Sequence, residues 1–285
     1  MKIFVNGKIV DEEKAVVSVM DRGFLYGDGV FETMRSYSGR ILALEKHLGR
    51  LCASAEGIGL KIEKDRKYIK FILYNLLKIN RLKDAYIRVS ITRGAGRVGL
   101  GMSTVKGQTM VVTMNPFKPY PAKFYKKGVT LFTASIRRDE KSPLTGIKTF
   151  NYLGSIVSRI ESQKAGADDA LFLNTRNEIA ETTVSNIFLV KKRELITPSL
   201  DSGILPGITR EIVLSLAKKV GKRPIERHVQ PQELRGADEV FLTNTLMEVM
   251  PVTRIDNKKI GAGNPGPITT SIHRRYIEYV MAQSR

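Results

Sequence analysis

Residues 148–190 constrain the fold more than any other stretch, because their hydrophobic period changes within a single run. After Lys148, Leu153, Ile156, Val157 and Ile160 recur at i, i+3, i+4 and i+7, the spacing of one helical face. Gly166 stands where such a helix would stop, since glycine takes the left-handed conformation that closes helices. Residues 169–173 then read as a buried strand and 187–190 as a second. On this reading the apolar helix face turns to the core. Lys148 stands just ahead of that helix, and Glu181 lies on a loop returning between two strands. Strands flanking a packed helix place the chain in the α+β (mixed α/β) class.

The rest of the chain fits the same class. Residues 1–10 read as a hairpin about the Asn6-Gly7 turn signal. Residues 21–29 form a glycine-rich turn with neither a Walker A nor a Rossmann pattern. A strand is expected over 30–35, a turn at Ser38-Gly39, and a strand over 41–44. Helices are expected over 45–58 and 66–80. The first has Leu48, Leu51, Cys52, Ala55 and Ile58 inside and Arg50 on another face. Residues 85–92 alternate as a strand that contains Arg88, a charge that needs a partner if buried. A flexible loop over 93–101 carries Arg97. Further strands are expected over 129–134, 194–197 and 238–243, helices over 209–220 and 267–281, and a hairpin over 255–260. Gly207, just before a helix start, suits anion binding, because free N–H groups and the positive end of the dipole face outward there. The proline-rich stretch near 116–123 is read as a linker between a small domain over 1–115 and a larger one over 124–285.

Composition excludes several classes. With 285 residues the chain can bury one or two cores. No apolar run reaches the roughly 18 residues a membrane span needs, and the N-terminus reads as a strand and turn instead of a signal peptide. The single cysteine, Cys52, allows no intrachain disulfide. His47, His228 and His273 show no metal-ligand spacing, so no metal site is expected. Together these features suggest a cytoplasmic protein. The net charge of +19 (47 basic less 28 acidic residues) raises nucleic-acid binding. The basic residues are spread along the chain without interleaved aromatics, so a solvated basic surface plus a pocket for anionic ligands is the favoured reading.

Two ordered segments carry a family resemblance. Ile147-Lys148-Thr149-Phe150-Asn151-Tyr152 and Glu181-Thr182-Thr183-Val184-Ser185-Asn186-Ile187-Phe188 resemble the signature segments of class IV aminotransferases, the fold-type IV enzymes that use pyridoxal phosphate. The resemblance implies a two-domain fold with a pseudo-barrel sheet in the larger domain, a cofactor between the domains, and a homodimer. It implies that Lys148 holds the cofactor as a Schiff base and acts as the catalytic base, and that Glu181, with Asn186 in the same segment, serves the pyridine nitrogen. His47-Leu48-Gly49-Arg50-Leu51 resembles the family's H-x-x-R-L, which makes Arg50 a phosphate ligand. Gly207-Ile208-Thr209-Arg210 and Thr245 resemble the remaining phosphate-binding segments. Tyr26, Phe31, Thr33 and Leu246 are implied pocket walls, and Arg88 or Arg97 the clamp for a substrate carboxylate.

The subgroup is divided. Phe31-Glu32-Thr33, residues 197–205 and Leu242-Thr243-Asn244-Thr245-Leu246 resemble 4-amino-4-deoxychorismate lyases. Tyr86-Ile87-Arg88 and residues 263–269 also occur in branched-chain aminotransferases. The expected small-molecule partner is therefore aminodeoxychorismate or an amino and keto acid pair, the latter of the branched-chain L- or the D-series.

Overall fold

The structure, a computed structural model, describes residues 1–283. The chain packs as two compact units. The first comprises Met1–Lys118 together with Ile147–Asn151, and the second Pro119–Gly146 with Tyr152–Ala282.

The first unit is built from β1 (Lys2–Val5), β2 (Lys8–Asp11), α1 (Arg22–Tyr26), β3 (Gly29–Tyr37), β4 (Arg40–Ile41), α2 (Leu44–Gly57), α3 (Arg66–Ile79), β5 (Ala85–Thr92) and β6 (Thr109–Pro116). Its sheet runs β2-β1-β6-β5-β3-β4. Asn6 and Gly7 both have positive φ, 47° and 88°, as a two-residue turn between twisted strands requires. Leu48, Leu51, Leu73 and Leu76 from the helices pack with Val30, Met34, Ile87 and Val89 of the sheet in one core.

Three details differ from the sequence reading. The glycine-rich turn contains the short helix α1, because Asp21 accepts from the Gly23 amide at its start and Gly27, at φ 69°, closes it. The strand expected over 41–44 ends at Ile41, since Ala43 turns left-handed (φ 49°) to start α2. Cys52 is half-buried and outside the core proper.

The edge of β3 is shared. Its C-terminal end pairs with β4. Its N-terminal end takes up the segment Ile147–Asn151: Val30 bridges Thr149, the Phe31 amide donates to the Lys148 carbonyl at 3.0 Å, and the Phe150 amide to the Gly29 carbonyl at 3.1 Å.

The second unit comprises α4 (Ala122–Lys127), β7 (Val129–Arg138), α5 (Leu153–Lys164), β8 (Asp169–Asn174), β9 (Ile179–Thr182), β10 (Asn186–Lys191), β11 (Glu194–Pro198), α6 (Ile208–Leu216), β12 (Arg223–Arg227), β13 (Glu239–Asn244), β14 (Glu248–Ile255), β15 (Lys258–Lys259) and α7 (Pro267–Gln283). The sheet, ordered β12-β11-β10-β13-β14-β7-β8-β9 with β15 on β14, curls into a half-barrel. Leu131, Leu171, Ile187, Val240, Leu242 and Met250 belong to its core. Among the described residues no helix is long and apolar enough to cross a membrane.

Two expectations fail here. Helix α5 forms where the period placed it, and Gly166 follows it at φ 74°, but its orientation is inverted. Leu153, Ile156, Val157 and Ile160 are 72%, 53%, 38% and 46% exposed, whereas Ser155, Ser158 and Ser162 are buried. The small serines let the helix approach the sheet closely, so the side with the smaller side chains turns inward. Glu181 lies in the strand β9, paired with β8, instead of on a loop.

Candidate active site

In the first unit the backbone of Lys148 is held from both sides. Its carbonyl accepts from β3, and its amide donates to the Ser54 hydroxyl at 3.2 Å. Ser54 belongs to a polar stripe on α2 with His47 and Arg50, at i, i+3 and i+7, so one helix face meets both β3 and the lysine segment. Gly57 continues that stripe. A Cβ there would lie 2.5 Å from Ile147 Cδ1, so the glycine makes room for the residue before the lysine.

The lysine's ammonium lies 4.5 Å from the centroid of Phe31, and the Arg88 guanidinium lies 3.6 Å from the same ring. Arg88, half-buried in β5, thus finds its partner in a π-face, with Nε donating to Ser90 at 3.1 Å. Thr33 stands directly across from Arg88 in the β3–β5 register and is half-buried.

Arg50 is held by Glu32 of β3. Its Nε donates to Oε1 at 2.7 Å and its Nη2 to Oε2 at 2.9 Å. His47 Nδ1 lies 2.8 Å from Oε2. Burial alone would raise the Glu32 pKa, but the bonds from His47 and Arg50 outweigh it and bring it down to about 2. Burial pushes the His47 pKa down, against the opposing pull of Glu32. The group therefore consists of a carboxylate, a guanidinium and a neutral imidazole whose Nδ1–H donates.

Tyr26 reaches the loop that carries Arg97. Tyr26 Oη accepts from the Gly99 amide at 2.8 Å, and Arg22 Nη1 donates to the Gly99 carbonyl. Arg97 is exposed, its amide donating to Thr104 Oγ1.

In the second unit the Glu181 carboxylate is buried. Its Oε2 accepts from the Leu205 amide at 3.1 Å and lies 3.4 Å from Asn186 Nδ2. Arg138 Nη2 is 3.4 Å from its other oxygen, with the guanidinium over Phe172 at 4.4 Å. Asn186 also donates to the Leu205 carbonyl and reaches the start of α6. A Cβ at Gly207 would lie 1.9 Å from Asn186 Oδ1. Helix α6 begins there with no side chain capping it; Ile208 and Thr209 form its first turn and are buried. Arg210 points elsewhere, donating to the Pro198 carbonyl and to Glu226. Thr245 and Leu246 lie on the turn after β13. Asn244 Oδ1 accepts from the Leu246 and Met247 amides, and Asn244 Nδ2 donates to the Val184 carbonyl at 3.3 Å. The Thr245 turn is thereby joined to the turn that follows Glu181.

The amino-transferase class IV model matches residues 29–255. The chain belongs to that family. Class IV aminotransferases are pyridoxal phosphate enzymes, and the chain is accordingly an enzyme with that cofactor. It is 38% identical over 279 residues to a Methanocaldococcus jannaschii protein provisionally named a branched-chain-amino-acid aminotransferase, covering 97% of this chain and 95% of that one. It is 33% identical over 276 residues to the aminodeoxychorismate lyase of Bacillus subtilis, covering 96% and 93%. A branched-chain aminotransferase from the archaeon Thermoproteus uzoniensis, solved with norvaline, superposes with a TM-score of 0.92 at 32% identity, covering 100% of this chain and 96% of that one.

The residues fit what a class IV aminotransferase must hold. An uncapped helix start whose N-cap glycine packs against Asn186 suits a phosphate. A buried carboxylate suits a protonated ring nitrogen, and a lysine with a fixed backbone suits a covalent link. Sequence reasoning missed Glu32, His47, Ser54 and Arg138. Glu32 and His47 were legible only as motif letters. Arg138 lies past the end expected for its strand, with no local signal to mark it.

Proposed function

We propose that Lys148 makes the covalent link to pyridoxal phosphate and, once released from it, moves the proton at the carbon bearing the substrate's amino group. The cofactor supplies an electron sink for the charge left on that carbon. Glu181, steadied by Asn186, holds the proton on the ring nitrogen. Arg50, Thr209, Thr245 and the Ile208 amide neutralise the phosphate. Tyr26, Phe31, Thr33 and Leu246 line the substrate, and Arg88 receives a carboxylate. Arg97, solvent-facing on its loop, is the second candidate for that carboxylate. The observation that carries this reading is the shared ring of Phe31, which has the Lys148 amine and the Arg88 guanidinium within 4.5 Å and 3.6 Å. A carbonyl-reactive amine that could carry the cofactor and a carboxylate receptor beside one ring suit an amino acid substrate.

Within the family the reading is 4-amino-4-deoxychorismate lyase, which releases pyruvate and forms 4-aminobenzoate. Its support is the Thr33 hydroxyl opposite Arg88 and the bulk of Leu246. The second reading is an aminotransferase passing an amino group from a branched-chain L-amino acid or a D-amino acid to 2-oxoglutarate or pyruvate. The 38% identity to the M. jannaschii protein favours it. Adding L-leucine, D-alanine and L-glutamate separately to the yellow holoenzyme decides between them. Bleaching by any one identifies the aminotransferase. A protein that stays yellow with all three, yet releases pyruvate from aminodeoxychorismate, is the lyase.

The outward apolar face of α5 supports a homodimer, since Leu153, Ile156 and Ile160 form a continuous apolar strip of the kind that marks interaction surfaces.

A further inference from the structure

We infer that Glu32 is a positioning residue for cofactor phosphate binding, acting through Arg50. The inference rests on the proposed role of Arg50. Two guanidinium donors of Arg50, Nε and Nη2, are bound to the two oxygens of Glu32 at 2.7 and 2.9 Å. A bidentate pair fixes the plane and rotation of a guanidinium, which a single hydrogen bond does not. Glu32 is itself fixed: it sits in the middle of β3, is fully buried, and receives His47 Nδ1 at 2.8 Å. His47 and Arg50 come from the same helix face and converge on one carboxylate, so the guanidinium edge turned away from Glu32 has one direction.

The alternative is that Glu32 only offsets charge. The two roles predict opposite signs. Glu32→Gln removes a negative charge beside Arg50, so a purely electrostatic effect would tighten phosphate binding. If Glu32 positions Arg50, binding weakens although the site has become more positive. A general structural role predicts a third pattern, in which all ligands weaken together.

The test measures the affinity of the full-length apoprotein for pyridoxal phosphate and for pyridoxal, which lacks the phosphate, by equilibrium dialysis with absorbance detection. Wild type, Glu32→Gln, Glu32→Asp and Arg50→Ala are compared. The expected result is a loss of about tenfold or more in pyridoxal phosphate affinity for Glu32→Gln, the size expected when hydrogen bonds to a charged group are lost. Pyridoxal affinity stays unchanged, and Glu32→Asp recovers part of the loss. Glu32→Gln binding pyridoxal phosphate as tightly as wild type or more so, while Arg50→Ala is weakened, overturns the inference and leaves the proposed function standing. Equal weakening toward both ligands also overturns it. Arg50→Ala binding like wild type removes the reading of Arg50 on which the inference rests. If Glu32→Gln does not fold, Glu32→Asp decides: a phosphate-specific loss supports the inference, and an undiminished affinity rejects it.

Discussion

Glu32 and Arg50 form a two-point pair in the first unit, with donor–acceptor distances of 2.7 and 2.9 Å and the carboxylate fully buried. The Glu32 pKa falls from 4.5 to about 2. A depressed folded-state value means that the stabilisation is fully present above the unfolded pKa and is lost as pH falls toward the folded one. Urea midpoints should therefore drop between pH ~4.5 and ~2, by an amount on the order of 3 kcal/mol in unfolding free energy. The profile of Glu32→Gln should be flatter across the same window. An identical drop in both proteins would assign the acid sensitivity to other carboxylates.

Lys148→Ala should bind pyridoxal phosphate without covalent attachment. After borohydride reduction and proteolysis, wild type should carry the cofactor on the peptide containing Lys148, and the variant on none. Turnover should fall by about 10²–10⁴, the usual contribution of a positioned proton-transfer group. A variant that keeps a reducible yellow adduct would remove Lys148 from its role.

Arg88→Met should raise KM for the carboxylate substrate and lower kcat/KM by roughly ten- to a hundredfold, as expected when charged hydrogen bonds are lost. The absorbance of the bound cofactor should be unchanged. Steady-state kinetics on Arg97→Met gives the comparison, and a larger loss there would transfer the carboxylate to the loop.

Gly207→Ala tests the start of α6. An added methyl would meet Asn186 Oδ1, which lies 1.9 Å from the position of a Cβ, and would displace the side chain that accompanies Glu181. Overpacking of this kind costs about 1–3 kcal/mol. Cofactor affinity should fall at least tenfold by dialysis. Wild-type affinity would mean that Asn186 moves aside freely.

Ile156→Asp combined with Ile160→Asp should convert a dimer to a monomer in sedimentation velocity without unfolding it, because both side chains are exposed within the chain. Unchanged sedimentation would show that the strip on α5 does not join two copies.

Much of this architecture was legible in the sequence, and α5 shows where legibility ends. Its period identified a helix, but a period says only that two faces differ. Which face meets the sheet depends on how closely the backbone must approach, and here Ser155, Ser158 and Ser162 permit the close approach. The strand holding Glu181 escaped notice because all four residues of Ile179–Thr182 are buried, the glutamate included, so no apolar–polar alternation marks it. The segment around Lys148 and the segment from Glu181 to Phe188 were enough to identify the family. Their supporting partners were not legible, because Glu32–Arg50 and Arg138–Glu181 join positions 18 and 43 residues apart, beyond any local pattern.

The lysine segment has a genetic consequence. Ile147–Asn151 completes an edge of β3, yet the chain on either side of it belongs to the second unit. A gene divided near residue 118 would therefore yield two fragments, neither of them a whole unit. The first would lack the strip that covers the edge of β3. The second would carry Lys148 without the helix and strand that hold it. Lys148 is thus encoded within the second unit's stretch of chain but held by the first unit, so a crossover near residue 118 would part it from the residues that fix its backbone.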